Sequence, residues 1–541
     1  MFYHRYIEEV KNEAGVVQRM TPKYPNSYNF GCDVIDPLGE EYPHDLAMLW
    51  RNDKGAEVRL TFGDMKSLSN KAANALKKLG LSKGDVLMVC LKSHYEFWYI
   101  AVAAHKLGLL LAPVYHLLSV EELAQRLEQS HAKAIITTKE GEAPDNVLKA
   151  AQQVGGCMVL TVRGAYQEAQ DFTALVEAAP DVLQRVETFA HEPALLYFTS
   201  GTTGKPKGVL HDHAFSLSTV LGPQYMQGIQ QGGLHFATGN TGWEVVCGTK
   251  FYGQWLCRCA IFVYDYDRFH PAETLRQLEE VKVTSVMAQP TVYRQMTDVG
   301  MDNFDLSSIT CFAVGGEKLT PDLAELVYRQ TGRHLYEGYA QSEAGLIAAN
   351  SQNMGRKEHS VGQLLPKYHV EILKDDGSFA APNEQGEIVI VARENKRPIG
   401  ILMGYFEEPG GAEALWDGNI FHTKDLAYKD ADGFLYYLGR MDGVIKTKGY
   451  RVSPVELEGV LARHPAVYEC LVVGVPDRDL GQRITAYIVP AAGFAPTQAL
   501  GEEIKAFHNE TCTGFKKIRT LEFVDKLERN QNGKIIRKVR D

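Results

Sequence analysis

Short apolar runs separated by helical stretches constrain this chain more than any other feature. Asp85–Leu91 is such a run, and Ala134–Thr137 and Met158–Val162 repeat it. Strands covered on both faces of a parallel sheet read this way. Between them lie helical segments. Leu60–Gly80, just upstream, reads as an amphipathic helix that opens at Thr61 and closes at Gly80. A second series runs from about Leu195 to Ala349, with apolar runs at Cys259–Val263, Thr284–Ala288 and Cys311–Val314. Such alternation predicts an α/β fold. The chain has 541 residues, too many for one ordinary core, so two or more domains are expected.

After about His359 the texture changes to short strands with Gly- and Asp-rich turns, at Val370–Leu373, Gly386–Val391 and Gly433–Gly439. From Pro454 the pattern becomes helix, strand, strand, helix, strand. The expectation is a large N-terminal domain over residues 1–441, with α/β subdomains at about 1–190 and 191–360 and a β-subdomain at 361–441. A small mobile α+β domain would occupy residues 442–541, hinged at Asp442.

Composition narrows the function classes. The net charge of −10, from 57 basic and 67 acidic residues, argues against a nucleic-acid-binding surface over the whole molecule. Only Cys257 and Cys259 among the nine cysteines lie close together, and structural zinc needs four ligands. Free thiols in a reducing cytosol are the simpler reading. Met1–Lys11 has no secretory apolar core. The apolar stretch Tyr99–Leu118 is interrupted by His105, Lys106, Gly108 and Pro113, which suits a buried helix and strand rather than a membrane span. A cytoplasmic protein is therefore expected.

One segment carries strong chemical information: Tyr197-Phe198-Thr199-Ser200-Gly201-Thr202-Thr203-Gly204-Lys205-Pro206-Lys207-Gly208. Glycines let backbone N–H groups close on phosphate oxygens, hydroxyls add donors and lysines add charge. It is not a Walker A loop, because Gly201 and Gly204 are too close and Pro206 follows Lys205.

This segment resembles the phosphate-loop signature of the adenylate-forming superfamily, which contains acyl-CoA synthetases, firefly-type luciferases and peptide-synthetase adenylation domains. The superfamily's further signatures follow in order over roughly residues 190 to 541, most similar to acetyl- and medium-chain acyl-CoA synthetases. Gly315-Gly316-Glu317-Lys318 resembles the adenine-contacting turn. Glu337-Gly338-Tyr339-Ala340-Gln341-Ser342-Glu343 is similar to the Y-G-x-T-E segment. The resemblance implies that Tyr339 stacks on adenine, Ser342 contacts phosphate and Glu343 holds Mg²⁺, the hard cation that ATP phosphates require. Phe421-His422-Thr423-Lys424-Asp425 is similar to Y-x-T-G-D, which assigns Asp425 to the ribose hydroxyls, with Arg440 beside it. Lys424 departs from the usual glycine and puts the loop geometry there in question.

Lys446-Thr447-Lys448-Gly449-Tyr450-Arg451 resembles the loop that swings in for thioester formation. Gly449 would leave room for the pantetheine thiol, and Arg451 would contact phosphate. Arg529-Asn530-Gln531-Asn532-Gly533-Lys534 resembles the C-terminal signature, making Lys534 the adenylation lysine. An ammonium that bridges charge developing at the α-phosphorus favours the transition state over the ground state.

The acyl pocket is read on the same resemblance from Trp243, Glu244, Val245, Gly315 and Ala340. In acetate-specific relatives a tryptophan fills the position of Ala340, so alanine predicts a larger acid. Glu244 is unexpected there, because an unpaired buried carboxylate is costly. The implied reaction joins a short- or medium-chain or aromatic acid to coenzyme A through acyl-AMP, using ATP and Mg²⁺. A homodimer is a candidate assembly, and no nucleic acid or membrane partner is expected. Two alternatives stay open: a stand-alone adenylation enzyme loading an amino or aryl acid onto a carrier-protein thiol, and a non-catalytic nucleotide-binding sensor.

Overall fold

The computed structural model describes residues 1–541 except 14–16, 201–205, 244, 394–395, 407–410, 412, 448–449, 513, 530–534 and 538–541. For Ser200, Asp442, Tyr450 and Arg451 it describes the backbone alone.

The fold is α/β. An eight-stranded sheet runs in the spatial order 404–405, 206–212, 193–200, 110–113, 86–90, 134–138, 158–162, 170–171. Its central strands send alternate residues to opposite faces, as strand geometry requires. Leu87, Val89, Ala134 and Ile136 pack with helices Phe62–Lys78 and Glu96–Leu107. Val86, Met88, Cys90 and Ile135 pack with Leu123, Leu127, Val147 and Ala151 of the helices on the other face. Both faces are covered, which is why the strands read as continuous apolar runs.

Helix Phe62–Lys78 starts as the sequence predicts. Thr61 Oγ1 accepts the backbone N–H of Asp64 at 3.1 Å, and the Asp64 carboxylate accepts the Thr61 N–H at 2.8 Å. The apolar stretch after it is the buried helix Glu96–Leu107, closed by Gly108 at φ 66°, and the buried strand Leu110–Pro113. Among the described residues no helix is long and apolar enough to cross a membrane.

A nine-stranded sheet follows the order 363–364, 345–349, 335–341, 311–314, 285–288, 234–237, 260–265, 46–52, 57–61. The strands therefore do not divide at residue 190. The hairpin Leu46–Thr61 completes the edge of this second sheet, through parallel pairing of Leu49 with Phe262. The hairpin Pro193–Asp212 belongs to the first sheet. Among the described residues the chain passes between these two sheets three times, after 61, after 212 and again before 404, which local apolar patterning does not encode.

A five-stranded sheet built from 369–373, 385–391, 420–429, 416–417 and 435–440 forms the β-rich portion. The C-terminal part is a second five-stranded sheet, from 445–447, 450–452, 467–477, 481–490 and 520–523, with helices Pro454–Leu461 and Gln498–Thr511. It has its own core around Leu457, Val472, Ala486 and Ile504.

Candidate active site

The predicted phosphate loop lies at the tip of an antiparallel hairpin. Strand Pro193–Ser200 pairs with strand Pro206–Asp212, Thr199 opposite Lys207 and Ser200 opposite Pro206. Gly201, Thr202, Thr203, Gly204 and Lys205, at the tip itself, lie outside the described residues. Gly208 is closely packed: a Cβ there would lie 2.9 Å from Leu196 Cδ1 and 3.1 Å from Phe406 Cβ. The short strand Gly404–Tyr405 pairs alongside, and Lys207 Nζ stands 4.8 Å over the Tyr405 ring.

The strand Cys311–Val314 ends in the predicted adenine turn. Gly315 is buried, whereas Gly316 is exposed and has φ +87°, a conformation that favours glycine. The turn is tied down from the next strand: Leu319 N–H donates to Glu337 Oε1 at 3.1 Å. Burial pushes the Glu337 carboxyl up to about 7, against the pull of that N–H and of Lys318. The side chains of Glu317 and Lys318 both leave the turn, Glu317 accepting from Thr291 Oγ1 at 2.6 Å and Lys318 donating to the Val455 carbonyl at 2.8 Å.

Gly338 and Tyr339 continue the strand. A Cβ on Gly338 would meet Met226 Sδ at 2.5 Å. The Tyr339 ring is buried and stacks on Tyr437, with centroids 5.4 Å apart. Its hydroxyl donates to Asp425 Oδ2 at 2.5 Å, and Gln341 Nε2 donates to the same oxygen at 3.0 Å. Tyr437 donates to Oδ1 at 3.4 Å. Burial, with Asp425 second, keeps the Tyr339 hydroxyl protonated far above its ordinary range. Asp425 itself is buried and sits opposite Arg440 in the sheet. Lys424 adopts φ 61°, so the backbone makes the left-handed turn that glycine makes more easily. Its N–H is held by Glu387 Oε1 at 2.8 Å.

Ser342 and Glu343 form the next turn. His211 Nε2 donates to the Ser342 carbonyl at 2.8 Å. Burial holds the His211 imidazole down to about 4, so the neutral ring is the donor at pH 7. Tyr405 donates its hydroxyl to Glu343 Oε1 at 3.1 Å, and Leu402 N–H bonds to the Glu343 carbonyl at 2.7 Å. Glu343 is half-buried. Among the described residues no group of three or more His, Cys, Asp or Glu side chains gathers as a metal cage. A lone carboxylate suits a cation whose other ligands are phosphate oxygens and water, as Mg²⁺ prefers.

The predicted acyl wall is assembled from distant segments. Trp243 is half-buried, and its ring spans two glycines: a Cβ on Gly316 would lie 3.0 Å from Cη2, and one on Gly239 3.5 Å from Cε3. A Cβ on Gly315 would lie 3.1 Å from Met287 Cε. Val245 opens helix Val245–Thr249 beside Gly239. Ala340 is exposed, on the opposite face of its strand from Tyr339. Gly242 sits so tightly on the first sheet that a Cβ would lie 2.4 Å from Tyr115 N and Val114 C. Glu244 lies outside the described residues.

In the small domain, Ile445–Thr447 and Tyr450–Val452 form a hairpin with Lys446 opposite Arg451, and Gly449 at its tip lies outside the described residues. Asp442 falls in the turn Met441–Gly443 between the domains. Arg529 and Ile535 pair across residues 530–534, so Lys534 too lies outside the described residues. That pair stands by the adenine turn, since Arg529 Nη1 is 3.6 Å from Glu317 Oε1. Tyr437, Tyr405 and His211 carry no motif of their own; Tyr405 and His211 support motif residues far away in sequence, and Tyr437 supports Asp425 from the adjoining strand.

The site thus combines a glycine- and hydroxyl-rich segment between two paired strands, a buried carboxylate held by two tyrosines and a glutamine, and a small domain in contact with the turn 315–318. The chain belongs to the AMP-binding enzyme family: residues 38–406 match that family and residues 456–534 match the AMP-binding enzyme C-terminal domain. It is an AMP-forming acid–thiol ligase. It is 32% identical to acyl-coenzyme A synthetase ACSM4, mitochondrial, of Homo sapiens, over 97% of this chain and 92% of that protein. It is also 32% identical to human acyl-coenzyme A synthetase ACSM5, mitochondrial, over 96% of this chain and 90% of that one. In structure it resembles the anthranilate CoA ligase AuaEII in complex with anthranoyl-AMP, with TM-score 0.85 and 23% identity over 95% of this chain and 96% of the other. The benzoate CoA ligase of Burkholderia xenovorans LB400 superposes with TM-score 0.81 and 24% identity over 94% and 98%.

Proposed function

We propose that this enzyme is an ATP-dependent carboxylate–CoA ligase acting on a short- or medium-chain acid larger than acetate, or on an aromatic acid. The observation that carries the acid class is the exposed Ala340 on the same strand as the buried Tyr339. With Gly316 and Gly239 against the Trp243 ring and Gly315 against Met287, small residues stand where larger side chains would close the pocket. Coenzyme A as the acceptor is supported by the printed names of the two acyl-coenzyme A synthetases.

In the first step a carboxylate oxygen attacks the α-phosphorus of ATP, forming acyl-AMP as the bond to pyrophosphate breaks. The hairpin tip 199–205 holds the phosphates, Asp425 and Arg440 hold the ribose, and the turn 315–318 flanks the adenine with Tyr339. Glu343, oriented by Tyr405, would hold Mg²⁺, which supplies charge neutralisation for the phosphates when bound. Lys534 stabilises the charge that develops at the α-phosphorus. In the second step the thiol attacks the acyl carbon, AMP leaves, and the thiol proton passes to solvent. Between the steps the small domain, residues 442–541, turns about Asp442 and exchanges Lys534 for Gly449. The contact of Arg529, just before the Lys534 segment in sequence, with Glu317 of the turn 315–318 supports the first arrangement. The cytoplasm fits the thiols, since all the described cysteines are free; fractionation and sedimentation test this location and the homodimer.

Acid-dependent exchange of pyrophosphate into ATP tests the reading. Exchange without CoA, and acyl-CoA plus AMP once CoA is added, is the expected result. Exchange followed by transfer to a carrier protein but never to CoA would select the loading enzyme instead. Lys534→Ala should abolish exchange while largely sparing thioester formation from supplied acyl-AMP; equal loss of both halves would remove the two-arrangement scheme.

A further inference from the structure

Glu317 and Lys318 are adjacent in the adenine turn, and both side chains meet the small domain. Lys318 Nζ donates to the carbonyl of Val455, 2.8 Å away in helix Pro454–Leu461. Glu317 is first fixed within the large domain, by Thr291 Oγ1 at 2.6 Å on Oε2. Its Oε1 then faces Arg529 Nη1 at 3.6 Å. Arg529 is itself anchored in the small domain by an ion pair with Glu469. The helix carries a glycine where it passes the lysine: a Cβ on Gly459 would lie 2.9 Å from Lys318 Nζ. The neighbouring Glu458 is bonded twice to Arg537, at 2.6 and 2.7 Å, and adds negative charge near the ammonium.

We propose that the side chains of Glu317 and Lys318 form a two-point clasp that holds the small domain in the arrangement used for acyl-AMP formation. This rests on the two-arrangement reading above. Val455 follows the hinge in sequence and Arg529 comes just before the segment carrying Lys534, so the clasp joins two separate segments of the small domain. Withdrawing the Lys534 hairpin separates Arg529 from Glu317. The two points have opposite polarity, a carboxylate meeting a guanidinium and an ammonium meeting a carbonyl, so they specify orientation as well as contact. The two residues are thus positioning residues for the first half-reaction, and Gly459 is the clearance that lets the lysine seat.

The test measures both half-reactions separately: pyrophosphate exchange, and thioester formation from supplied acyl-AMP and CoA. Lys318→Met should lower the ratio of the first rate to the second by about three- to tenfold, the scale of one charge-assisted hydrogen bond at a partly exposed interface. Gly459→Ala should lower it in the same direction without loss of thermal stability, because alanine favours a helix and only the lysine tip must move. In the Lys318→Met background Gly459→Ala should add almost nothing. Glu317→Arg and Arg529→Glu should each lower the ratio, and the double variant should restore part of it.

Equal falls in both half-reactions, with a raised KM for ATP, would overturn the clasp in favour of direct nucleotide contact. An unchanged ratio in Gly459→Ala and in both charge variants would overturn it too. If the wild type shows no acid-dependent exchange, the ligase reading fails. If Lys534→Ala abolishes exchange while the clasp variants leave the ratio unmoved, the clasp fails alone.

Discussion

Tyr339 and Ala340 are neighbours in one strand, and the two faces of that strand are built by different means. On the Tyr339 face, three side chains from two strands, Tyr339 and Gln341 of one and Tyr437 of another, converge on the buried carboxylate of Asp425. On the Ala340 face, the walls are defined by missing side chains: an exposed alanine, and two glycines opposite the edge of Trp243. A hydrogen-bonded constellation discriminates by chemistry, because a wrong ligand leaves buried polar groups unpaired. A cavity bounded by small residues discriminates by volume, and more gently. The contrast teaches that nucleotide recognition and acid selection should be separable by mutation.

Asp425→Ala should produce the largest effect. It removes the shared acceptor of Tyr339, Gln341 and Tyr437 and the proposed ribose ligand, so kcat/KM for ATP should fall by about a hundredfold or more, roughly 3 kcal/mol. The ranking of acids in steady-state assays should survive; a reordered ranking would break the separation. Ala340→Trp is the reciprocal experiment. It should cost longer acids about ten- to a hundredfold in kcat/KM, by overfilling the pocket, and leave the KM for ATP within about twofold.

Glu337→Gln tests the frame beneath the nucleotide side. Its folded-state pKa is raised from 4.5 to about 7, so the folded protein keeps a proton that the unfolded chain releases. Wild-type stability is therefore lost progressively as pH rises through that interval, and the full cost is present above pH 7. Glutamine keeps an acceptor for the Leu319 N–H. The variant should gain about 1–3 kcal/mol over wild type in denaturant melts at pH 8, and the gain should vanish below the unfolded value. Lys424→Gly should have the smallest effect, about 1 kcal/mol of stabilisation or less from relieving the positive φ. Its kinetics on all acids should match wild type.

The legibility of the molecule varied with the range of the interactions involved. Strand Met158–Val162 and the Thr61 cap are where the sequence predicts, because burial on two faces and a reciprocal cap are local properties. The edge hairpin Leu46–Thr61 was missed. Its outer strand reads Glu-Val-Arg-Leu-Thr, a half-exposed pattern that says nothing about which sheet it joins. Asp425 and Glu343 were readable because each sits in a contiguous motif. Tyr405 and His211 were not, since hydrogen bonds to distant motifs leave no spacing in the chain, and Tyr437 was not, since its bond to Asp425 depends on the register of two neighbouring strands. The irregularity at Lys424 was visible in sequence, and the structure supplies its form: a left-handed turn kept without glycine.

Gly242 has a consequence for how this enzyme can be redesigned. Its Cα lies against the backbone of Val114 and Tyr115, with no room for a methyl group. The turn bearing Trp243 is thus fitted to a strand end from the other sheet, and a change in one constrains the other. A chimera that imports a foreign turn with any larger residue at this position would wedge the sheets apart before it altered selectivity. Cassettes for new acids should carry residues 114–115 along with 239–245, or change Trp243, Val245, Gly315 and Ala340 in place.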